Sequence, residues 1–126
     1  MTASQLRCLI ELRRLSETRT VVSSVYLTAA LKVSKPSVHR LLEGLRSMGF
    51  VEKEYYGQAQ LTEEGNALAD RMLILLKHLS ERLGDSIIKP ENAYDAAIQL
   101  LSAFDERYFS CFADTDIPDR HTALTR

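Results

Sequence analysis

The 126-residue chain has no tryptophan and only five glycines, three prolines and two cysteines. The glycines are scattered as turn and cap positions, so no glycine-rich phosphate loop exists. Cys8 and Cys111 have neither a paired nor a metal-finger spacing, and both are expected to be reduced and buried. No run of eighteen apolar residues occurs, which excludes a membrane-spanning helix. Arg7, Glu11, Arg13 and Arg14 interrupt the first apolar stretch, so it lacks the core of a signal peptide, and a cytoplasmic location is expected. There is no Ser/His/Asp set and no pair of carboxylates with a histidine. Asp105 and Glu106 are adjacent but read as a solvated face. No catalytic residue is therefore assigned, and the chain is not expected to be an enzyme. Internal repeats and low-complexity tracts are also missing.

Apolar residues make up 45% and charged residues 26%, the balance of a globular domain rather than a disordered chain. The net charge of −1 argues against a polyanionic partner taken alone. Its distribution says more. Residues 1–61 carry nine Lys/Arg against five Asp/Glu, a net +4; residues 62–126 carry seven against twelve, a net −5. Only the first half is suited to a polyanion.

The apolar period predicts a mainly α fold. A first helix spans residues 3–17 with Leu6, Leu9, Ile10 and Leu15 inward and Leu12 flanking. A second runs from Ser24 to Leu31, capped by Ser23 or Ser24, with Val25, Leu27, Ala30 and Leu31 inward. Lys32 and Val33 form a short turn, and Ser34 caps a third helix with Pro36 in its first turn. Val38, Leu41, Leu42 and Leu45 follow at i, i+3, i+4, i+7, and Gly49 ends the helix. The period then changes to that of strands. Val51, Tyr55 and Tyr56, a turn at Gly57 and a return to Leu61 predict a small β-hairpin. Thr62, Glu63 and Glu64 start a fourth helix that continues to Gly84. Pro90 opens a last helix, whose face is marked by Tyr94, Ala97, Ile98, Leu101, Phe104, Tyr108 and Phe109.

Helix, short turn, helix and two-stranded ribbon make a winged helix-turn-helix, followed by two more helices. In that arrangement the apolar side of the third helix holds its opposite side outward. A DNA major groove admits one α-helix, whose leading turns meet base edges and phosphates. Ser34 and Ser37 suit phosphate or base contacts, Lys35 and Arg40 neutralise phosphate, and His39 and Arg40 can read guanine. The helix N-terminus adds its own partial positive charge. In the ribbon, Lys53, Tyr55, Tyr56 and Gln58 lie where a wing tracks the backbone or minor groove. Glu43, Glu52 and Glu54 oppose this, since carboxylates repel phosphate. A winged helix can also serve as a protein-binding module.

Residues 26–65, "YLTAALKVSKPSVHRLLEGLRSMGFVEKEYYGQAQLTEEG", resemble the winged-helix half of the diphtheria-toxin-repressor and manganese-transport-regulator family. The resemblance is carried by Leu27, Ala30, Leu31, Val33, Pro36, Ser37, Val38, Leu41, Leu45, Gly49 and the "LTEEG" of 61–65. It continues more weakly over residues 3–110. It implies a homodimeric, metal-gated repressor of transcription. The family's metal ligands fall here on Arg7 and Ile10 in the first helix, Leu76 and Ser80 in the fourth, and Ile98, Leu101 and Ser102 in the last. None is a metal-binding residue and several are aliphatic, so no metal site and no cofactor is expected. His78 with Cys8 or Cys111 is the remaining set of donors outside the family's positions.

The domain division expected is a DNA-binding winged helix over 1–65, a helical dimerisation region over 66–112 and a loose tail over 113–126. Leu68, Met72, Leu75, Leu79 and Leu83, with Tyr94, Ile98, Leu101 and Phe104, form more apolar surface than a small winged helix covers. A two-fold dimer is expected to bury it. Partners are thus double-stranded DNA, a second copy and an unidentified effector. The alternatives are a winged-helix interaction module without DNA contact, and a regulator of the multiple-antibiotic-resistance type with a small-molecule effector, whose members share the Leu-Thr-x-x-Gly element.

Overall fold

In the computed structural model, residues 1–52 and 57–109 are described. The order is α1 (Ala3–Leu15), β1 (Val22–Ser23), α2 (Ser24–Leu31), α3 (Lys35–Ser47), β2 (Gln58–Ala59), α4 (Glu63–Ser86), α5 (Pro90–Ala103) and a single 3-10 turn, Glu106–Phe109. This is a mainly helical winged helix-turn-helix with two further helices. The chain divides into two compact units, Met1–Asp70 and Arg71–Arg126, with the boundary inside α4.

In the first unit, α1 opens with a reciprocal cap. Thr2 Oγ1 accepts from the Gln5 amide at 3.1 Å and the Thr2 amide donates to Gln5 Oε1 at 2.8 Å. The helix stops two residues short of expectation. Ser16 Oγ donates back to the Leu12 carbonyl at 2.6 Å and Thr18 Oγ1 to that of Leu15. Such hydroxyls compete with the helical ladder. Leu6, Cys8, Leu9, Ile10 and Leu12 are all buried, so Leu12 does not flank the stripe but belongs to it. Helix α1 packs on α2 and α3, which pack on each other.

Helix α2 has the expected bounds and is capped by Ser23, whose Oγ accepts from the Val25 amide. Its inward face differs from the expected one. Ser24 and Leu27 are buried, Thr28 and Leu31 are half-buried, and Val25 and Ala30 point outward, Val25 being 67% exposed. The Thr28 hydroxyl satisfies the Ser24 carbonyl at 2.7 Å, which lets the polar pair turn inward.

Sequence reading does not reveal β1. It pairs antiparallel with β2, Val22 opposite Ala59 and Ser23 opposite Gln58. The base of the expected hairpin is present: Val51 bridges Leu61, and the Glu52 amide donates to the Gln60 carbonyl at 2.8 Å. Val22, Val51, Ala59 and Leu61 are buried, so each short strand segment adds to the core.

In the second unit, Met72, Leu75, Leu76, Leu79, Ala93, Ala97, Ile98 and Leu101 are buried. Helix α5 does not run on to Phe109. Phe104 is extended (φ −118°, ψ 153°), and Asp105 Oδ1 accepts from the Arg107 amide at 3.0 Å. That side-chain turn restarts the chain as the 3-10 segment, placing the Phe104 and Tyr108 rings edge to face at 6.2 Å.

Candidate nucleic-acid interface

The turn between α2 and α3 sets the direction of α3. Lys32 takes the left-handed conformation (φ 56°), and its amide still bonds the Thr28 carbonyl at 2.9 Å. Two residues later Ser34 caps α3, its Oγ accepting from the Ser37 amide at 3.2 Å. Val38, Leu42 and Leu45 are at most 2% exposed and anchor the inner face, with Leu41 half-buried. Burying such side chains contributes roughly 1.5–3 kcal/mol each, enough to fix which side faces out. At the far end Gly49 (φ 86°) closes the helix: its amide bonds the Arg46 carbonyl and the Phe50 amide bonds the Leu45 carbonyl, both at 3.0 Å. This paired reversal is a Schellman motif, which favours glycine.

The outward side of α3 brings together the residues expected there. Ser34, Lys35, His39 and Arg40 are exposed and Ser37 is half-buried. The Ser34 hydroxyl donates to Ser37 Oγ at 2.9 Å, and Arg40 Nη2 donates to the same oxygen at 3.2 Å. Ser37 thus receives two hydrogen bonds and keeps its own hydroxyl proton for an acceptor in front of the helix. The leading turns present the Lys35 ammonium, the Arg40 guanidinium and the first free amides of the helix, all of them donors. No carboxylate interrupts them. Glu43, one turn further on, is held by Arg46 at 2.8 Å, which together with the Arg46 and His39 charges lowers its carboxyl below the ordinary range. The repulsion anticipated from Glu43 is therefore offset within the helix.

Lys35, Pro36, His39 and Arg40 line a shallow groove of about 340 Å³ together with Ser24 of α2. Ser24 is the member that sequence reading misses, since it reads as a cap. Arg19, whose guanidinium sits 4.4 Å from the Tyr26 ring centroid, is also missed. It bonds the Tyr26 hydroxyl and lowers its pKa. The two residues lie in different segments, and no period links them. Gln58 is exposed on β2; Lys53, Tyr55 and Tyr56 fall outside the described residues.

Of the residues expected at a dimer interface, Leu68, Met72, Leu75, Leu79, Ile98 and Leu101 are already buried in the single chain. Leu83 is half-buried, and Tyr94 and Phe104 are 39% and 53% exposed. Cys8 is fully buried, and burial, with the nearby Glu11 charge, pushes its thiol up to about 12. Cys111 and the tail lie outside the described residues. Among the described residues no three His, Cys, Asp or Glu side chains come together as a metal group. None of the helices there is long and apolar enough to cross a membrane.

Residues 12–54 match the model of the IclR helix-turn-helix domain. The fold is similar to that of the crystal structure of T. acidophilum IdeR, with a TM-score of 0.63 and 21% identity over 89% of this chain and 52% of that one. It is also similar to the hypothetical protein SSo2273 from Sulfolobus solfataricus, with a TM-score of 0.67 and 14% identity over 94% and 91% of the two chains. The chain thus spans about half the length of the IdeR chain. No curated protein matches the sequence. The domain match and the fold together define a winged helix-turn-helix protein.

Proposed function

We propose that this protein is a sequence-specific, non-enzymatic regulator of transcription that binds double-stranded DNA as a homodimer. The observation that carries this reading is the leading end of α3. Its buried apolar side leaves Ser34, Lys35, Ser37, His39 and Arg40 in front, where the Lys35 ammonium, the Arg40 guanidinium and the Ser37 hydroxyl proton are donors. Phosphate oxygens and the guanine edge are acceptors, so this end is chemically complementary to a major groove.

The metal switch of the family that the sequence resembles is not part of this proposal, because the residues do not fit a cation. At the ligand positions Ile10, Leu76 and Ile98 are each 1% exposed, and Leu101 is buried. Aliphatic groups offer a metal no lone pair, and hydroxyls such as Ser80 and Ser102 are poor substitutes for the missing carboxylates and imidazoles. For the dimer, the side chains still accessible in one chain are the useful ones: Leu83, Tyr94 and Phe104. They form the contact proposed for a second copy, and a dimer carries two α3 helices, one for each of two half-sites.

Selection of bound duplexes from a random pool tests the reading. The expected product is a palindrome with half-sites about one helical turn apart, bound with an affinity that falls steeply with salt. Arg40→Ala and Lys35→Ala are each expected to weaken binding and, with the residue lost from both protomers, to flatten the salt dependence by about two units of slope. Failure to enrich any duplex, or unchanged binding by both variants, overturns it. Light scattering at twice 14.3 kDa is expected for the dimer; a 14.3 kDa species at micromolar concentration removes that part.

A further inference from the structure

We propose that the cleft between the end of α1, the return strand of the wing and the first turns of α4 binds a small monoanionic organic carboxylate. Arg13, Ser16, Thr20, Gln60, Leu61 and Asn66 line this cleft of about 280 Å³. It lies on the side of unit 1 formed by other elements than those of the groove along α3.

The donor set is specific. Arg13 Nε donates to Asp70 Oδ1 at 2.9 Å. Among the described residues nothing accepts from its two terminal nitrogens. Those nitrogens form the flat, bidentate end of the guanidinium, which matches the two oxygens of a carboxylate. The side chains of Thr20, Gln60 and Asn66 also have no hydrogen-bond partner among the described residues. They bring one hydroxyl and two carboxamides, which donate and accept, to the cleft that Arg13 lines. Buried Leu61 supplies an apolar floor for a short carbon chain.

Charge decides between carboxylate and phosphate. Asp70 already offsets the Arg13 charge, so a dianionic phosphate would bring two further negative charges to a neutral pair. A single carboxylate adds one and uses a planar contact. Size sets the upper limit. A water takes about 30 Å³ of liquid, so the cleft holds on the order of nine waters, room for an acid of four to six carbons.

The cleft also adjoins the base of the wing and the first turn of α4. The Gln60 carbonyl holds the Glu52 amide at the base of the wing, and Leu61 bridges Val51. The Asn66 amide donates to the Thr62 carbonyl at 2.9 Å in the first turn of α4. A ligand spanning Arg13, Gln60 and Asn66 ties α1, the wing base and α4 together. Its effect on DNA rests on the proposed function above; its binding does not.

The test is an NMR titration of the full chain with succinamate, a four-carbon acid bearing one carboxylate and one carboxamide. Saturable shifts of the Gln60 and Asn66 side-chain amides are expected at millimolar succinamate. Neutral succinamide and inorganic phosphate are expected to give none in that range. Arg13→Gln is expected to weaken succinamate binding at least tenfold, and Asn66→Ala and Thr20→Val several-fold each; the latter two serve if Arg13→Gln does not fold. No saturable shift up to 50 mM succinamate overturns the site. So does an equal response to succinamide or phosphate, or unchanged affinity in every variant that folds. DNA-binding failure with intact succinamate binding leaves the cleft standing and removes only the regulatory reading.

Discussion

Thr62 Oγ1 donates a 2.7 Å hydrogen bond to the carbonyl oxygen of Gly49, thirteen residues earlier. Thr62 Oγ1 in turn accepts from the Gly65 amide at 3.0 Å, capping α4. One hydroxyl thus joins the stop signal of α3 to the start signal of α4, and the Thr62 amide bonds the Phe50 carbonyl beside it. Between them the chain makes the wing. A Cβ on Gly65 would overlap the Phe50 carbonyl, which explains the glycine in "LTEEG".

Three substitutions at two positions probe this junction. Thr62→Val removes a cap and a tertiary hydrogen bond and is expected to cost about 2 kcal/mol, while Thr62→Ser costs less than half of that. Gly65→Ala is expected to destabilise by about 2 kcal/mol or more through overlap, although alanine gains about 1 kcal/mol in helix propensity. Urea unfolding of all three variants is the measurement. A stabilised Gly65→Ala protein would show that the two segments do not approach this closely.

Ser37 is expected to act by holding Arg40. Ser37→Ala removes the acceptor of the 3.2 Å contact to Arg40 and releases the guanidinium. Discrimination among selected duplexes should fall, by about 1–3 kcal/mol at the base pair that Arg40 reads. Binding to random duplex should fall far less. Fluorescence anisotropy on matched and mismatched duplexes separates the two effects; equal losses on both would assign Ser37 to phosphate contact alone. Stability should stay within about 0.5 kcal/mol, because the site is on the surface.

Cys8 is expected to be chemically silent. With its thiol pushed up to about 12 and its side chain fully buried, about one molecule in 10⁴ is thiolate at pH 8. In a Cys111→Ser background, iodoacetamide at pH 8 should leave the native protein unmodified and alkylate it fully in denaturant. Rapid native labelling would show that the Cys8 thiol is reached in the folded protein.

Glu43 gives a pH signature. Its carboxyl lies below the ordinary value of 4.5, first because Arg46 donates to it and then because of the Arg46 and His39 charges. A folded-state value lower than the unfolded one means that the ion pair stabilises above the unfolded value. That contribution is lost as pH falls through the folded value. Arg46→Ala should return Glu43 toward 4.5 in an NMR pH titration; an unmoved titration would show that the 2.8 Å contact is not populated in solution.

The parts legible in the sequence are those governed by neighbours within a turn or two. Ser34 as a cap, Pro36 in the first turn, Gly49 as a stop and Thr62 as a start each act on amides and carbonyls a few residues away. The bounds of α2 and the line of Val38, Leu42 and Leu45 are readable for the same reason. Other features depend on what lies across the fold. Helix α2, "SVYLTAAL", has no charged residue and no strongly one-sided pattern, so its own residues cannot say which side turns inward. Its neighbours decide, and they take Ser24 and Leu27 rather than Val25 and Ala30. Strand β1 is two residues long, too short for any period, and exists because Gln58 and Ala59 lie beside it.

The sequence by itself determined that a basic, serine-capped helix follows a short turn and precedes a ribbon, because caps, stops and apolar spacing are local and backbone hydrogen bonds must be met near at hand. Only the tertiary structure decided how much of the α4 and α5 stripe one chain buries, where α5 ends, and that Arg13, Gln60 and Asn66 share one cleft. Those outcomes depend on side chains far apart in sequence competing for the same space, a quantity that no local pattern contains.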